Sequence, residues 1–156
     1  MDIDSIDLQL LEQLQQDSSL SNQDLAARVH ISPPTCLRRV KRLRESGLIE
    51  REMAVLCADK FSALAGHSLC AIVEVTLDRQ DHDALEAFEK RVTQDDAVQQ
   101  CYRVSPGPDF VLVLHVADMA AYREFIGTVI WTLPGVRETR TYAVMEEVKC
   151  SALLPL

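Results

Sequence analysis

Aromatic residues are scarce, at 5% of 156, so the core must be built from Leu, Val, Ile and Ala. No apolar run approaches the ~20 residues that a membrane-spanning helix needs. The best stretches, Ala71 to Leu77 and Phe110 to Val116, are short and contain Glu74 or His115. A basic leader is absent too: the chain opens Met1-Asp2-Ile3-Asp4, acidic where a signal peptide is basic. Five cysteines (36, 57, 70, 101 and 150) never form a CxxC pair, and the four histidines show no metal-ligand spacing. These absences exclude a disulfide scaffold and a zinc site, and point to reduced thiols in a cytoplasm. Neither a Ser/His/Asp nor a Cys/His arrangement appears, so nothing in the chain suggests an enzyme.

Net positive charge is also missing. The formal charge is −8, which taken alone argues against a nucleic-acid partner. The distribution reverses that argument. Residues 1–60 carry 8 basic and 10 acidic side chains, whereas residues 61–156 carry 8 and 14. Between Arg28 and Arg44 stand six basic residues and no acid, a local cationic footprint inside an acidic chain.

That footprint lies on a helical pattern. Ile6, Leu10, Leu11 and Leu14 recur at helical spacing and predict a first helix over 4–16. Ser21, followed by Asp24, caps a second helix with Leu25, Ala26 and Val29 inside. After the turn His30-Ile31-Ser32, Ser32 caps a third helix with Pro33 at its first position. Gly47 ends it. Two short helices, a tight turn and a third helix spell helix-turn-helix. Helical geometry sets Cys36, Leu37, Val40 and Leu43 inward and Pro34, Thr35, Arg38, Lys41 and Arg42 outward, with Arg39 and Arg44 on the flanks. A cationic outer face is what insertion into a DNA major groove requires. The expected DNA-binding residues are Ser32, Pro34, Thr35, Arg38, Arg39, Lys41, Arg42 and Arg44. Arg38 is the candidate for a base edge; Arg39, Lys41, Arg42 and Arg44 are candidates for phosphate. Cys36, on the apolar side, reads as a core thiol.

Residues 50–67 read as a linker or strand hinge. From Ser68 onward the pattern alternates: strands over 69–77, 98–105, 110–116 and 136–148, helices over 81–92 and 119–133. The order β-α-β-β-α-β predicts a ferredoxin-like sandwich domain over 68–156, after a helix-turn-helix domain over 1–49, hence an α+β fold. The ribonucleoprotein signature is absent, so an RNA-reading sheet is not favoured. Leu and Val alternate on several strands, and a dimer through the sheets would cover the open face.

Ser21 to Arg51, reading SNQDLAARVHISPPTCLRRVKRLRESGLIER, closely resembles the helix-turn-helix of the leucine-responsive/asparagine regulator (Lrp/AsnC) family. The opening DIDSIDLQLLEQLQQDSSL, the turn before Asp109-Phe110 and the ending Leu153-Leu154-Pro155-Leu156 are similar to that family as well. The resemblance implies a bacterial or archaeal sequence-specific transcription regulator, nucleoid-associated and tuned by an amino acid. It implies a homodimer through the sheet domain, four dimers in an octamer, and an effector between dimers. Carried over, the effector would meet Ser105, Gly107, Pro108, Asp109 and Phe110 on one wall and Thr139 and Thr141 on the other. Asp109 or Glu74 could meet the ammonium group; Asp109 could equally stabilise the turn. Phe110 and the prolines lean toward an apolar effector such as leucine or methionine. Two departures stand out. His30 replaces a common glycine, and Pro106 replaces the usual glycine of the effector turn and removes one N–H donor. A ligand-independent architectural DNA-binding protein is therefore the alternative.

Overall fold

The computed structural model describes residues 2–57, 60, 61, 64, 69–151 and 153–156. The chain divides into two units: residues 1–55 with 149–156, and residues 56–148.

In the first unit, α1 (Ser5–Gln16), α2 (Asn22–Arg28) and α3 (Pro33–Glu45) pack together. Asp4 caps α1, its carboxylate accepting the Asp7 N–H at 2.9 Å while Asp7 reciprocates toward the Asp4 N–H at 3.3 Å. Ser21 caps α2 by accepting the Asp24 N–H at 3.1 Å. His30 takes φ 55° between α2 and α3, a left-handed conformation that His tolerates better than most residues. Leu10, Leu25, Ala26, Val29, Cys36, Val40 and Leu43 form the core. The Cys36 thiol is wholly buried, and burial pushes its pKa up, so it packs as a small hydrophobe.

The second unit carries β1 (Leu69–Leu77), α4 (His82–Val92), β2 (Val98–Arg103), β3 (Phe110–Val116), α5 (Met119–Phe125, continuing as a π-helical turn over Ile126–Ile130) and β4 (Val136–Ala143). All neighbours pair antiparallel in the order β2-β3-β1-β4, which is the expected βαββαβ arrangement. Along β1, Ala71, Val73, Val75 and Leu77 are buried, while Cys70, Ile72, Glu74 and Thr76 are half-exposed. The buried set packs with Phe88, Val92, Phe125, Val129 and Ile130 of the helices. Phe110 stacks on Phe88 with ring centroids 4.5 Å apart.

Four boundaries differ from expectation. The last strand ends at Ala143, not Val148: Ala71 pairs Ala143, and Val144 N–H reaches the Cys70 carbonyl near the start of β1. The second strand stops at Arg103, and α5 stops at the π-helical turn. Residues 149–156 join the helical unit rather than the sheet unit. There the Gln15 side chain meets the tail: its amide donates to the Leu154 carbonyl at 3.2 Å and accepts the Leu154 N–H at 2.7 Å. The proposed hinge at 50–67 is irregular over 51–57, and much of the remainder lies outside the described residues.

Candidate DNA interface and effector groove

Helix α3 begins with two residues that have no N–H to give, Pro33 and Pro34. Its amino end therefore offers Thr35 N–H as its first backbone donor, because Cys36 N–H is taken by the Ser32 carbonyl. Ser32 spends its hydroxyl on Thr35 at 2.8 Å rather than on a backbone cap. Both hydroxyls stand beside the exposed outer stripe of the helix, where Pro34, Leu37, Arg38 and Lys41 lie.

The cations of α3 fall into three groups. Arg38 is exposed and has no protein partner among the described residues. Lys41 and Arg44 hold surface partners: Lys41 lies 3.7 Å from Glu45, and Arg44 lies 2.6 Å from Glu52. Such exposed pairs are worth about 0–1 kcal/mol and yield readily to a phosphate. Arg39 and Arg42 differ. Arg39 donates to Asp4 at 2.7 Å and Asp7 at 2.9 Å, and Arg42 donates to the other oxygen of Asp7. Asp7 is fully buried and the Arg39 side chain is only 18% exposed. The pairing with Asp7, then with Asp4, raises the Arg39 pKa, and the Asp7 N–H and then Arg39 hold the Asp4 carboxyl below its ordinary range.

Two placements in α3 stand out against the helical-wheel reading. Arg39 and Arg42, the flanking and outward phosphate candidates, both reach Asp7 of α1 in the chain without DNA. Leu37 was expected inside and is 59% exposed. The inward seam is narrow, just Cys36, Val40 and Leu43, and the attraction of Asp7 rotates Arg42 onto its edge.

In the sheet unit, a groove of about 210 Å³ is lined by Glu74 and Thr76 of β1, Gly107 and Pro108 of the turn, and Glu138 and Arg140 of β4. Roughly 300–1,000 Å³ suits a drug-sized ligand, so this groove suits something smaller. The strand register explains its composition. Glu74 pairs Arg140 and Thr76 pairs Glu138 across the ladder, and directly opposed residues share a face. The Arg140 guanidinium stands 4.0 Å from both Glu74 and Glu138. Its interactions with Tyr142, then with the two glutamates, raise its pKa. Gly107 has φ 124° with nothing near its missing side chain, so the requirement for glycine there is conformational.

Other expected effector residues are placed differently. Thr139 opposes Val75 and Thr141 opposes Val73, both buried toward the helices, and Thr141 hydrogen-bonds Tyr122 of α5. Their parity along β4 turns them away from the groove. Phe110 is wholly buried in the core. Ser105 is exposed in the turn but does not line the groove. Asp109 is 92% buried, and its carboxylate accepts the Leu77 N–H at 2.7 Å. The β1–β3 ladder ends at Val75–Phe110, so Leu77 N–H has no strand partner there and the Asp109 side chain supplies one. Asp109 N–H also donates to the Val75 carbonyl at 2.9 Å. Of the two roles open to Asp109, the structure gives it the turn-stabilising one. Thr76, Glu138 and Arg140 escaped the sequence reading; counting alternation outward from Val73 and Val75 would have found them.

A wider depression of about 560 Å³ lies in the helical unit, lined by Gln15 to Ser19 and Glu52 to Val55. Its two carboxylates are occupied, Asp17 by Ser19 at 2.6 Å and Glu52 by Arg44, so no charge converges on it. No cluster of metal-ligating side chains occurs among the described residues, and no described helix is long and apolar enough to cross a membrane.

The winged helix-turn-helix DNA-binding family matches residues 3–50, and the Lrp/AsnC ligand binding domain family matches residues 70–154. The chain belongs to the Lrp/AsnC family. This Lrp/AsnC chain is thus a DNA-binding transcription regulator with a ligand-binding domain, and not an enzyme. It is 43% identical over 154 residues to the leucine-responsive regulatory protein of Haemophilus influenzae, covering 99% of this chain and 90% of the relative. A transcriptional regulator from Neisseria meningitidis, solved as a complex with L-Met, superposes with a TM-score of 0.88 at 30% identity, covering 99% of this chain and 97% of that one. An AsnC family regulator from Agrobacterium tumefaciens gives 0.89 at 30% identity, with 98% and 97% covered.

Proposed function

We propose that this regulator binds specific DNA sites through α3 and that an apolar amino acid, such as leucine or methionine, bound in the Glu74–Arg140 groove sets its activity. The observation that carries this reading is the convergence of one guanidinium and two carboxylates on a groove of amino-acid size. A zwitterion matches it: Arg140 takes the α-carboxylate, and Glu74 or Glu138 takes the ammonium. The L-Met complex of the Neisseria relative and the leucine-responsive relatives support an apolar side chain.

The groove is open on a single chain, and a second dimer closes it in this reading. The open sheet face, with Ile72, Tyr102, Val111, Val113 and Tyr142 in or near solvent, supplies the apolar surface through which a homodimer forms; four dimers make an octamer. On the DNA side Arg38 reads a base edge, Lys41 and Arg44 take phosphates, and Ser32, Pro34 and Thr35 border the groove. The protein works on the nucleoid in the cytoplasm.

A thermal-shift panel of the twenty amino acids tests the effector. A ligand at a hundred times its Kd stabilises by roughly 2.7 kcal/mol, about 5–10 °C for a chain of this size. Leucine or methionine is expected to give that shift, and Arg140→Gln to abolish it while leaving the unliganded midpoint in place. A panel in which no amino acid moves the midpoint would favour the ligand-independent architectural reading, to which Pro106 lends support by removing an N–H from the turn.

A further inference from the structure

Leu37 is the only large apolar side chain of α3 left in solvent, 59% exposed, whereas Cys36, Val40 and Leu43 on the same helix are 0–5% exposed. Its position is specific. Lys41 follows it four residues on, along the same stripe, Pro34 precedes it by three, and Arg38 adjoins it. Arg39 and Arg42 are drawn off toward Asp7, so the outer face of α3 is an apolar centre, Leu37, bordered by two cations.

That combination fits one partner chemistry. Cations at the border match phosphates. Between the phosphate rows, the major groove presents hydrogen-bonding edges and a single apolar feature, the C5-methyl group of thymine. We infer that Leu37 reads a thymine methyl in each half-site. The inference rests on the reading that α3 enters the major groove. Arg38, one residue on, has the donors to pair with guanine O6 and N7, so the two together would specify a thymine and a guanine close in sequence. A purely structural role does not account for Leu37, since it contributes nothing to the core of the helical unit.

The test uses the full-length protein and a binding site selected from random duplex DNA. Each thymine of the site is replaced in turn by deoxyuridine, which lacks only the methyl group. At the contacted position the wild-type protein is expected to bind about fourfold more weakly, the change corresponding to roughly 0.8 kcal/mol for one buried methyl. Leu37→Ala is expected to bind that site and its deoxyuridine version equally, with an unchanged melting temperature, and Leu37→Met to restore the discrimination. If Leu37→Ala keeps the full deoxyuridine profile while Arg38→Ala weakens binding, α3 enters the groove but Leu37 is not the reader. If neither variant changes binding, the reading of α3 in the groove fails as well.

Discussion

Asp7→Asn is expected to lower the stability of the helical unit by about 3 kcal/mol, visible as an earlier transition in urea followed by far-ultraviolet circular dichroism. Asp7 is fully buried and accepts from Asp4 N–H, Arg39 and Arg42. Removing its charge leaves the Arg42 guanidinium without a counter-ion and Arg39 with Asp4 alone. Breaking a buried pair costs about 3–5 kcal/mol; the lower end applies because the Arg42 side chain is 41% exposed and can recruit water. Arg39 Nε and Arg42 Nε are buried with no hydrogen-bond partner among the described residues. The role of the network is placement: it fixes the rotation of α3 against α1, and with it which side chains face outward. Asp7→Asn combined with Arg42→Gln should recover part of the loss, since the orphan charge then disappears. An unchanged urea midpoint in Asp7→Asn would mean that the carboxylate does not hold α3.

The second large effect is expected at the turn. Asp109→Ala removes the side-chain acceptor of Leu77 N–H, and bonds to a charged acceptor contribute about 1.5–3 kcal/mol. Gly107 and Pro108 stand on the groove wall two residues or fewer away, so loosening the anchor displaces that wall. The variant should lose the melting shift given by leucine or methionine and keep its affinity for DNA, because the helical unit contains none of these contacts. Isothermal titration with both amino acids checks the first half; a gel-shift series checks the second. Ligand affinity equal to wild type would show that the Asp109 anchor does not shape the groove.

How much of this was legible beforehand follows from the range of each interaction. Caps and turns depend on residues a few positions apart, so Ser21, His30 and Gly47 were readable where they stand, and Ser32 as the residue before α3, although its hydroxyl pairs with Thr35 instead of capping the backbone. The order of strands and helices followed from periodicity, and β3 matches its expected limits, Phe110–Val116. What escaped depends on distant partners. Asp7 and Arg39 are 32 residues apart, and nothing in a helical wheel of α3 alone shows that Arg42 is pulled round while Leu37 is left outside. The tail ending in Leu154 sits 139 residues from Gln15, beyond any local pattern. For the groove, Thr139 and Thr141 came from the family resemblance, and the strand register sets their neighbours Glu138 and Arg140 on the groove face instead, one residue's step along β4 being a change of face. The acidic average was the least informative feature, because it merges a cationic helix with an acidic sheet unit.

The central claim, a sequence-specific DNA regulator reading through α3, is tested most directly by equilibrium binding of the full-length protein to the DNA upstream of its own gene as salt is varied. Two phosphate-binding cations per subunit, Lys41 and Arg44, with Arg38 on a base edge, predict for a dimer a log–log salt slope of about −3.6, from 0.9 per neutralised phosphate. They also predict tighter binding to that DNA than to unrelated sequence, with the preference lost in Arg38→Ala. A slope near zero, or equal affinity for both DNAs that Arg38→Ala leaves untouched, would contradict it.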